Sequence, residues 1–378
     1  MTIQRVAYRE HHLLQLLENY SQQTLPLDRF ISHYFRDHPA LGSKDRAFIA
    51  ETVYHLIRWQ NLLDDLAPSR SWKDRYHTCL TIDIDALQQR EEIPLATRLS
   101  FPQPLLDLLI NSYGVEKASE LCLISNTPAL TTVRANALKI CRDDLLTLWK
   151  EKYEVVPTQT SLEGIVFLKK INLFQLPEFK QGLFEVQDEG SQLLAGLMDV
   201  KPGQQVLDYC AGSGGKTLAF APRMQGKGQI YLHDIRPLVL QEARKRLRRA
   251  GIQNSQILLP DRSHLHKLKK KMEWVLVDSP CSGTGTLRRN PDMKWKFNSD
   301  LLHRLMGQQR LIFEKALSFL HPAGRIVYAT CSLLREENQC QVEHFLSTYS
   351  LQIEGEVFQT LPHPRGMDGF FGVVLKKK

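Results

Sequence analysis

Asp278-Ser279-Pro280-Cys281-Ser282-Gly283-Thr284-Gly285 sets a carboxylate and a thiol three residues apart in one short loop. A thiol can form and break a covalent bond to a substrate once it is deprotonated, and a nearby acid can move protons while it does so. The loop follows Trp274-Val275-Leu276-Val277, an apolar run that reads as a buried parallel strand. A second thiol is placed alike: Arg325-Ile326-Val327-Tyr328-Ala329-Thr330 reads as another buried strand and runs into Cys331. In open α/β sheets ligands bind outside the carboxyl ends of the strands. Either cysteine alone reads as a small buried residue. Two of them at two strand ends, with an acid beside one, read as a reaction centre.

The elements that must position these residues follow from periodicity. From Gln187 onward, strands and helices alternate: Gln205–Tyr209, Gln229–Asp234, Ser255–Leu259, Trp274–Val277 and Arg325–Thr330 read as strands, with helices Leu238–Ala250 and Leu301–Leu320 between them. That alternation predicts a doubly wound α/β domain with a parallel sheet over 187–378. Before it, Leu130–Arg134, Val155-Val156 and Gly164–Leu168 read as strands and Asp143–Lys150 as a helix, giving a small α+β subdomain over 128–186. Residues 1–127 read as helices, with apolar stripes such as Leu13, Leu16, Leu17 and Tyr20, and with Ser43 as a possible cap.

Composition bounds the function class. The chain has 378 residues, an apolar content of 43% and no run long enough to span a membrane. Its N-terminus lacks the apolar core of a signal peptide, so a cytoplasmic protein is expected, most simply a monomer. Seven scattered cysteines argue for reduced thiols, and without a Cys-x-x-Cys pair no metal site is expected. The net charge of +8 is clustered near Arg244, Lys269 and Arg288. Such clusters favour a polyanion, and Arg288, Arg289 and Lys294, just after the reaction-centre loop, are the expected phosphate contacts.

The glycine-rich turn after the first central strand, Asp208-Tyr209-Cys210-Ala211-Gly212-Ser213-Gly214-Gly215-Lys216-Thr217, decides the cofactor. A phosphate-binding loop fails on spacing, because Cys210 stands where its first glycine belongs. A dinucleotide fingerprint is partial, because Thr217 stands at its third glycine. S-adenosylmethionine needs a close backbone approach, an acid after the second strand for the ribose and a polar group near the adenine. Gly212 to Gly215, Asp234 and Asp261 supply these.

These motifs together resemble the Sun-type family of RNA cytosine-5 methyltransferases, close to the RsmB-like bacterial ribosomal RNA enzymes. The resemblance rests on the stretches from Asp208 and Asp278, on Arg288-Arg289-Asn290-Pro291-Asp292 with Lys294-Trp295, and on Thr330-Cys331-Ser332 with Glu336-Glu337-Asn338. Gly366 to Phe371, Arg134-Ala135-Asn136 and Gln187-Asp188 with Ser191 add to it. It covers residues 129–378. The helical region is similar, more distantly, to a NusB-like domain.

The resemblance implies a Rossmann-like class I methyltransferase sheet and S-adenosylmethionine as cofactor, held by Cys210, Ala211, Gly212, Ser213, Gly214, Gly215, Lys216, Asp234, Asp261 and Asp278. It implies Cys331 as nucleophile, Cys281 as the thiol that helps release the product, and Asp278 as the group on the cytosine edge. The implied partner is RNA, ribosomal in preference to transfer RNA. A catalytically idle RNA-binding assembly factor on this fold and a dinucleotide oxidoreductase are the alternatives. Family members usually carry Ala-Pro where this chain has Gly212-Ser213. The loop is therefore expected to be less rigid, and restoring Ala-Pro is expected to keep or tighten cofactor binding.

Overall fold

The computed structural model describes residues 3–22, 25–259 and 265–378, which form two units. One unit comprises residues 1–128 and 286–299, the other residues 129–285 and 300–378.

The first unit is helical. Leu13, Leu16, Leu17 and Tyr20 on helix Ile3–Tyr20 recur at helical spacing and are buried, as are Ile49, Val53, Leu56 and Ile57 on helix Ser43–Arg58. They meet in one apolar core with helices Leu27–Asp37, Gln60–Leu66 and Trp72–Cys79. Ser43 does not cap its helix: Gly42 takes the cap position, without a side-chain bond, and Ser43 is the first helical residue.

Residues 286–299 belong to this unit and not to the catalytic one expected over 187–378. The reason lies in the end of helix Ser43–Arg58, whose last carbonyls have no partner within the helix. The Trp295 indole donates to the Ile57 carbonyl (2.7 Å) and the Lys294 ammonium to that of Arg58 (2.7 Å). Lys294 also donates to Asn126 Oδ1 (2.6 Å), and the Arg58 guanidinium donates back to the Arg288 carbonyl (2.8 Å). Arg288 itself donates to the Pro128 carbonyl (3.0 Å).

The second unit holds two sheets. The smaller contains β1 (Thr131–Ala135), β2 (Val155–Pro157), β3 (Gly164–Phe167) and β4 (Phe184–Val186), all antiparallel, in the order β2-β3-β1-β4. Helix Arg142–Lys150 covers it, with Leu145, Leu146 and Trp149 buried. The larger sheet contains β5 (Gln205–Asp208), β6 (Gln229–His233), β7 (Ser255–Leu258), β8 (Met272–Asp278) and β9 (Leu320–Thr330), then β10 (Leu351–Ile353), β11 (Phe358–Thr360) and β12 (Phe370–Lys377). Its order is β10-β12-β9-β8-β5-β6-β7, with β11 beside β12.

From β9 to β7 the strands are parallel, as the alternation predicts, and helix Pro237–Ala250 connects β6 to β7. The last three strands add to the β9 side in antiparallel fashion, an extension that the motif at Gly366–Phe371 does not announce. Asn136 joins the two sheets by donating to the carbonyls of Gly182 (2.8 Å) and Ala250 (2.9 Å).

Arg288→Ala is therefore expected to act on stability. Removing a fully buried, hydrogen-bonded guanidinium should cost about 2–3 kcal/mol in urea unfolding, while the salt dependence of RNA binding stays that of the parent protein. A weaker salt dependence at unchanged stability would contradict this placement.

Candidate active site

Parallel pairing brings the carboxyl ends of β5, β6, β8 and β9 to one edge of the sheet. Asp208 pairs with Leu276 and Leu232, and Asp278 with Ala329. Asp234, Asp278 and Cys331 thus lie within two residues of one another along that edge.

The glycine-rich turn is tied to both neighbouring strand ends: Tyr209 N–H donates to Leu276 (2.9 Å) and Ala211 N–H to His233 (2.9 Å). Gly212 donates its N–H to Asp234 Oδ2 (2.9 Å) and, with φ +52°, is left-handed, a conformation that costs other residues energy. Gly214 (φ +80°) then turns the chain into helix Gly215–Phe220.

A cavity of about 590 Å³ opens on this turn. Cys210, Ala211, Gly212, Ser213, Gly215, Lys216, Asp234 and Asp278 line it, as the sequence suggests; Gly214 shapes the turn without lining the cavity. Asp261 lies outside the described residues.

Several lining residues escaped sequence reasoning. Gln308, Ile312 and Lys315 come from one face of helix Ser299–Leu317, and their four- and three-residue spacing was the available signal. Gln187, on which Arg134 places a hydrogen bond (2.8 Å), donates in turn to the Gly215 carbonyl (3.2 Å). Ser213 accepts two hydrogen bonds from Arg246, at its hydroxyl (2.6 Å) and its carbonyl (3.0 Å).

Asp208 also lines the cavity. Its Oδ2 accepts from Thr217 (2.7 Å), while its buried Oδ1 has no hydrogen-bond partner among the described residues. Burial pushes this carboxyl up to about 7, with the Thr217 bond pulling the other way. An orphaned acceptor of this kind fits a cationic ammonium group, such as the one S-adenosylmethionine carries.

Asp234 suits a ribose diol, but the Arg236 guanidinium forks onto both of its oxygens (2.9 and 3.0 Å). Burial opposes the charge on Asp234, yet the Arg236 and Gly212 bonds together leave its pKa below the usual carboxylate range. The Arg236 side chain that holds Asp234 is itself 62% exposed.

The thiols converge. Cys281 Sγ and Cys331 Sγ are 3.4 Å apart. The hydrogen bond from Cys281 lowers the pKa of Cys331 despite burial, and Lys216 adds to this. Cys281 is correspondingly raised, first because its proton serves Cys331 and then by burial. The Lys216 ammonium pairs with Asp278 at 2.5 Å. Burial works against that ammonium, but Asp278 outweighs it and raises its pKa. The site therefore holds two coupled thiols, with Cys331 biased toward ionisation, beside a carboxylate–ammonium pair, the equipment for covalent catalysis with proton transfer.

The expected phosphate contacts need correction. Arg288 and Lys294 are each 1% exposed, and both bind carbonyl groups inside the helical unit, so neither can hold RNA phosphate. Arg289 is half-buried beside them. Arg244, Arg248 and Lys269 to Lys271 are exposed cations of the catalytic unit.

Comparison with known proteins agrees with this geometry. The profile of the 16S rRNA methyltransferase RsmB/F family matches residues 195–376, and that of the RsmF/B-like ferredoxin-like domain matches residues 101–173. A probable ribosomal RNA small subunit methyltransferase B of Synechocystis is 30% identical over 312 residues, covering 76% of this chain and 69% of its own. The Bacillus subtilis protein described in the same words is 31% identical over 321 residues, covering 77% and 72%. The crystal structure of a methyltransferase homologue from Pyrococcus horikoshii superposes with a TM-score of 0.65 at 28% identity, over 75% of this chain and 98% of that one.

Two outcomes follow from the site. Because a lowered pKa leaves thiolate present at lower pH, iodoacetamide should alkylate Cys331 before Cys281 near neutral pH. Cys281→Ala, which removes the donor, should move Cys331 alkylation to higher pH; peptide mapping reads both. For the turn, the left-handed Gly212 reverses the expectation drawn from the family's Ala-Pro. Gly212→Ala should cost roughly 1–2 kcal/mol in strain and weaken S-adenosylmethionine binding in calorimetry, and proline at 213 would also lose the hydroxyl that Arg246 holds.

Proposed function

The chain belongs to the 16S rRNA methyltransferase RsmB/F family, and from this we propose that it methylates carbon 5 of a cytosine in ribosomal RNA through a covalent bond to Cys331. The observation that carries the reading is the sulfur pair, 3.4 Å apart, next to the Lys216–Asp278 pair on the rim of the cavity. S-adenosylmethionine supplies the methyl group. Membership in a methyltransferase family leaves the oxidoreductase alternative without support.

Carbon 5 of cytosine is too weak a nucleophile to accept a methyl group unaided. The Cys331 thiolate attacks carbon 6, forming a C–S bond and moving electron density to carbon 5. Asp278 accepts a hydrogen bond from the cytosine edge, and the Lys216–Asp278 pair carries the proton that ring nitrogen 3 takes up as the ring becomes electron-rich. Once Cys331 is a thioether it bears no charge. Cys281 then loses the neighbour that held up its pKa, releases its own proton to solvent, and can act as the base that removes the carbon 5 proton. The C–S bond breaks, the ring double bond re-forms, Cys331 leaves as a thiolate, and ring nitrogen 3 returns its proton to the Lys216–Asp278 pair. The base must be unstacked to reach such a site, which favours a single-stranded or loop target.

Cys331→Ala should form no covalent adduct. Cys281→Ala should still attack but release its product about 10²–10⁴-fold more slowly, the range for losing a general base, so that a protein–RNA band accumulates on a denaturing gel with cofactor present. RNA carrying 5-fluorocytosine at the target should trap the unsubstituted enzyme through Cys331. A band with Cys331→Ala alone would reverse the roles.

A further inference from the structure

Glu337 is fully buried and lies at the end of the short turn Arg335–Glu337, six residues beyond Cys331. It accepts four hydrogen bonds, all from neutral donors. Its Oε1 takes the Ser282 N–H (2.9 Å) and the Gln309 amide (2.9 Å), and its Oε2 takes the hydroxyls of Ser282 (2.5 Å) and Ser332 (2.6 Å). Ser282 directly follows Cys281 and Ser332 directly follows Cys331. One carboxylate thus grips the residue after each catalytic thiol.

A carboxylate buried with no cation paired to it among the described residues is costly, and its own pKa is raised by that burial against the pull of its donors. A clamp made only for stability could be replaced by apolar packing at less cost. What apolar packing cannot do is fix two loops, 50 residues apart in sequence, to within a hydrogen bond.

The surroundings extend the same grip. Gln309 also donates to the Pro280 carbonyl (3.1 Å), on the other side of Cys281. Asn338 accepts from Thr330 (2.6 Å) and donates to the Ser332 carbonyl (2.8 Å), enclosing Cys331 from both sides. Tyr328, on β9, anchors the clamp by donating its hydroxyl to the Glu337 carbonyl (2.8 Å).

We propose that Glu337 is a positioning residue that locks the Cys281 and Cys331 loops together and thereby sets the sulfur–sulfur separation. The part of this that concerns attack by Cys331 rests on the function proposed above; the clamp itself does not.

The test reads the thiols directly and needs neither RNA nor methyl transfer. Glu337→Ala should release the Cys281 donor from Cys331. Losing the Glu337 charge by itself lowers the Cys331 pKa; the lost Cys281 donor outweighs this, so that Cys331 alkylation by iodoacetamide becomes slower at neutral pH, about tenfold for a net rise of one unit in a thiol pKa. Ser332→Ala removes one arm only and leaves the carboxylate in place. It should give a smaller shift in the same direction, and adding it to Glu337→Ala should change nothing further. If Glu337→Ala does not fold, as seen by loss of a cooperative melt, Ser332→Ala alone decides. A folded variant whose alkylation profile coincides with the parent protein's overturns the proposal. If the shifts appear but the parent protein methylates no RNA, the functional reading fails and the clamp stands.

Discussion

The contact between the Cys281 and Cys331 sulfurs, 3.4 Å apart, is the one on which the proposed chemistry depends: it disfavours charge on both at once and pulls their pKa values apart. Anions gathered in a low dielectric raise one another's energy, and Asp278 and Glu337 both work against charge on Cys331. Lys216 is the cation set among them, paired with Asp278 and close enough to lower the pKa of Cys331. A residue expected from the sequence only to hold the cofactor thus also offsets negative charge beside the two thiols.

The geometry is threaded as well as charged. Gly285 donates its N–H to the Cys331 carbonyl (2.9 Å), and Gly369 donates to the Gly285 carbonyl (2.9 Å). A Cβ on Gly285 would lie 2.2 Å from the Gly369 carbonyl oxygen, so the loop passes here only as glycine. The antiparallel β12 therefore does more than widen the sheet. It brings the chain from Gly369 against the loop that carries one thiol, while its register with β9 supports the strand that carries the other.

What the sequence made legible was what burial and strand direction dictate. The apolar runs before Asp278 and Cys331 identified two parallel strands, and their ends had to meet. Illegible were the features that depend on what a side chain meets in space. Arg288 and Lys294 read as charge; only the folded helical unit shows that they complete a helix end and are shut away from phosphate. Gly212-Ser213 read as a loosened Ala-Pro, because a backbone angle has no letter in the sequence. The positive φ of Gly212 and the bond from Arg246 to Ser213 show a differently built turn. Glu337 was one member of a motif until four donors were found on its carboxylate.

The helical unit is discontinuous along the chain, closed by residues 286–299 after the whole of 129–285 has intervened. During translation its first helices leave the ribosome long before the segment that finishes them. Until that segment arrives, the carbonyls of Ile57 and Arg58 lack the Trp295 and Lys294 donors and the seat of Trp295 against the helical core stands empty. Assembly is thus nested, with the earliest-made part among the last to be completed. The nascent chain carries an open apolar surface through much of its synthesis, the kind of surface that chaperones bind and that aggregation exploits.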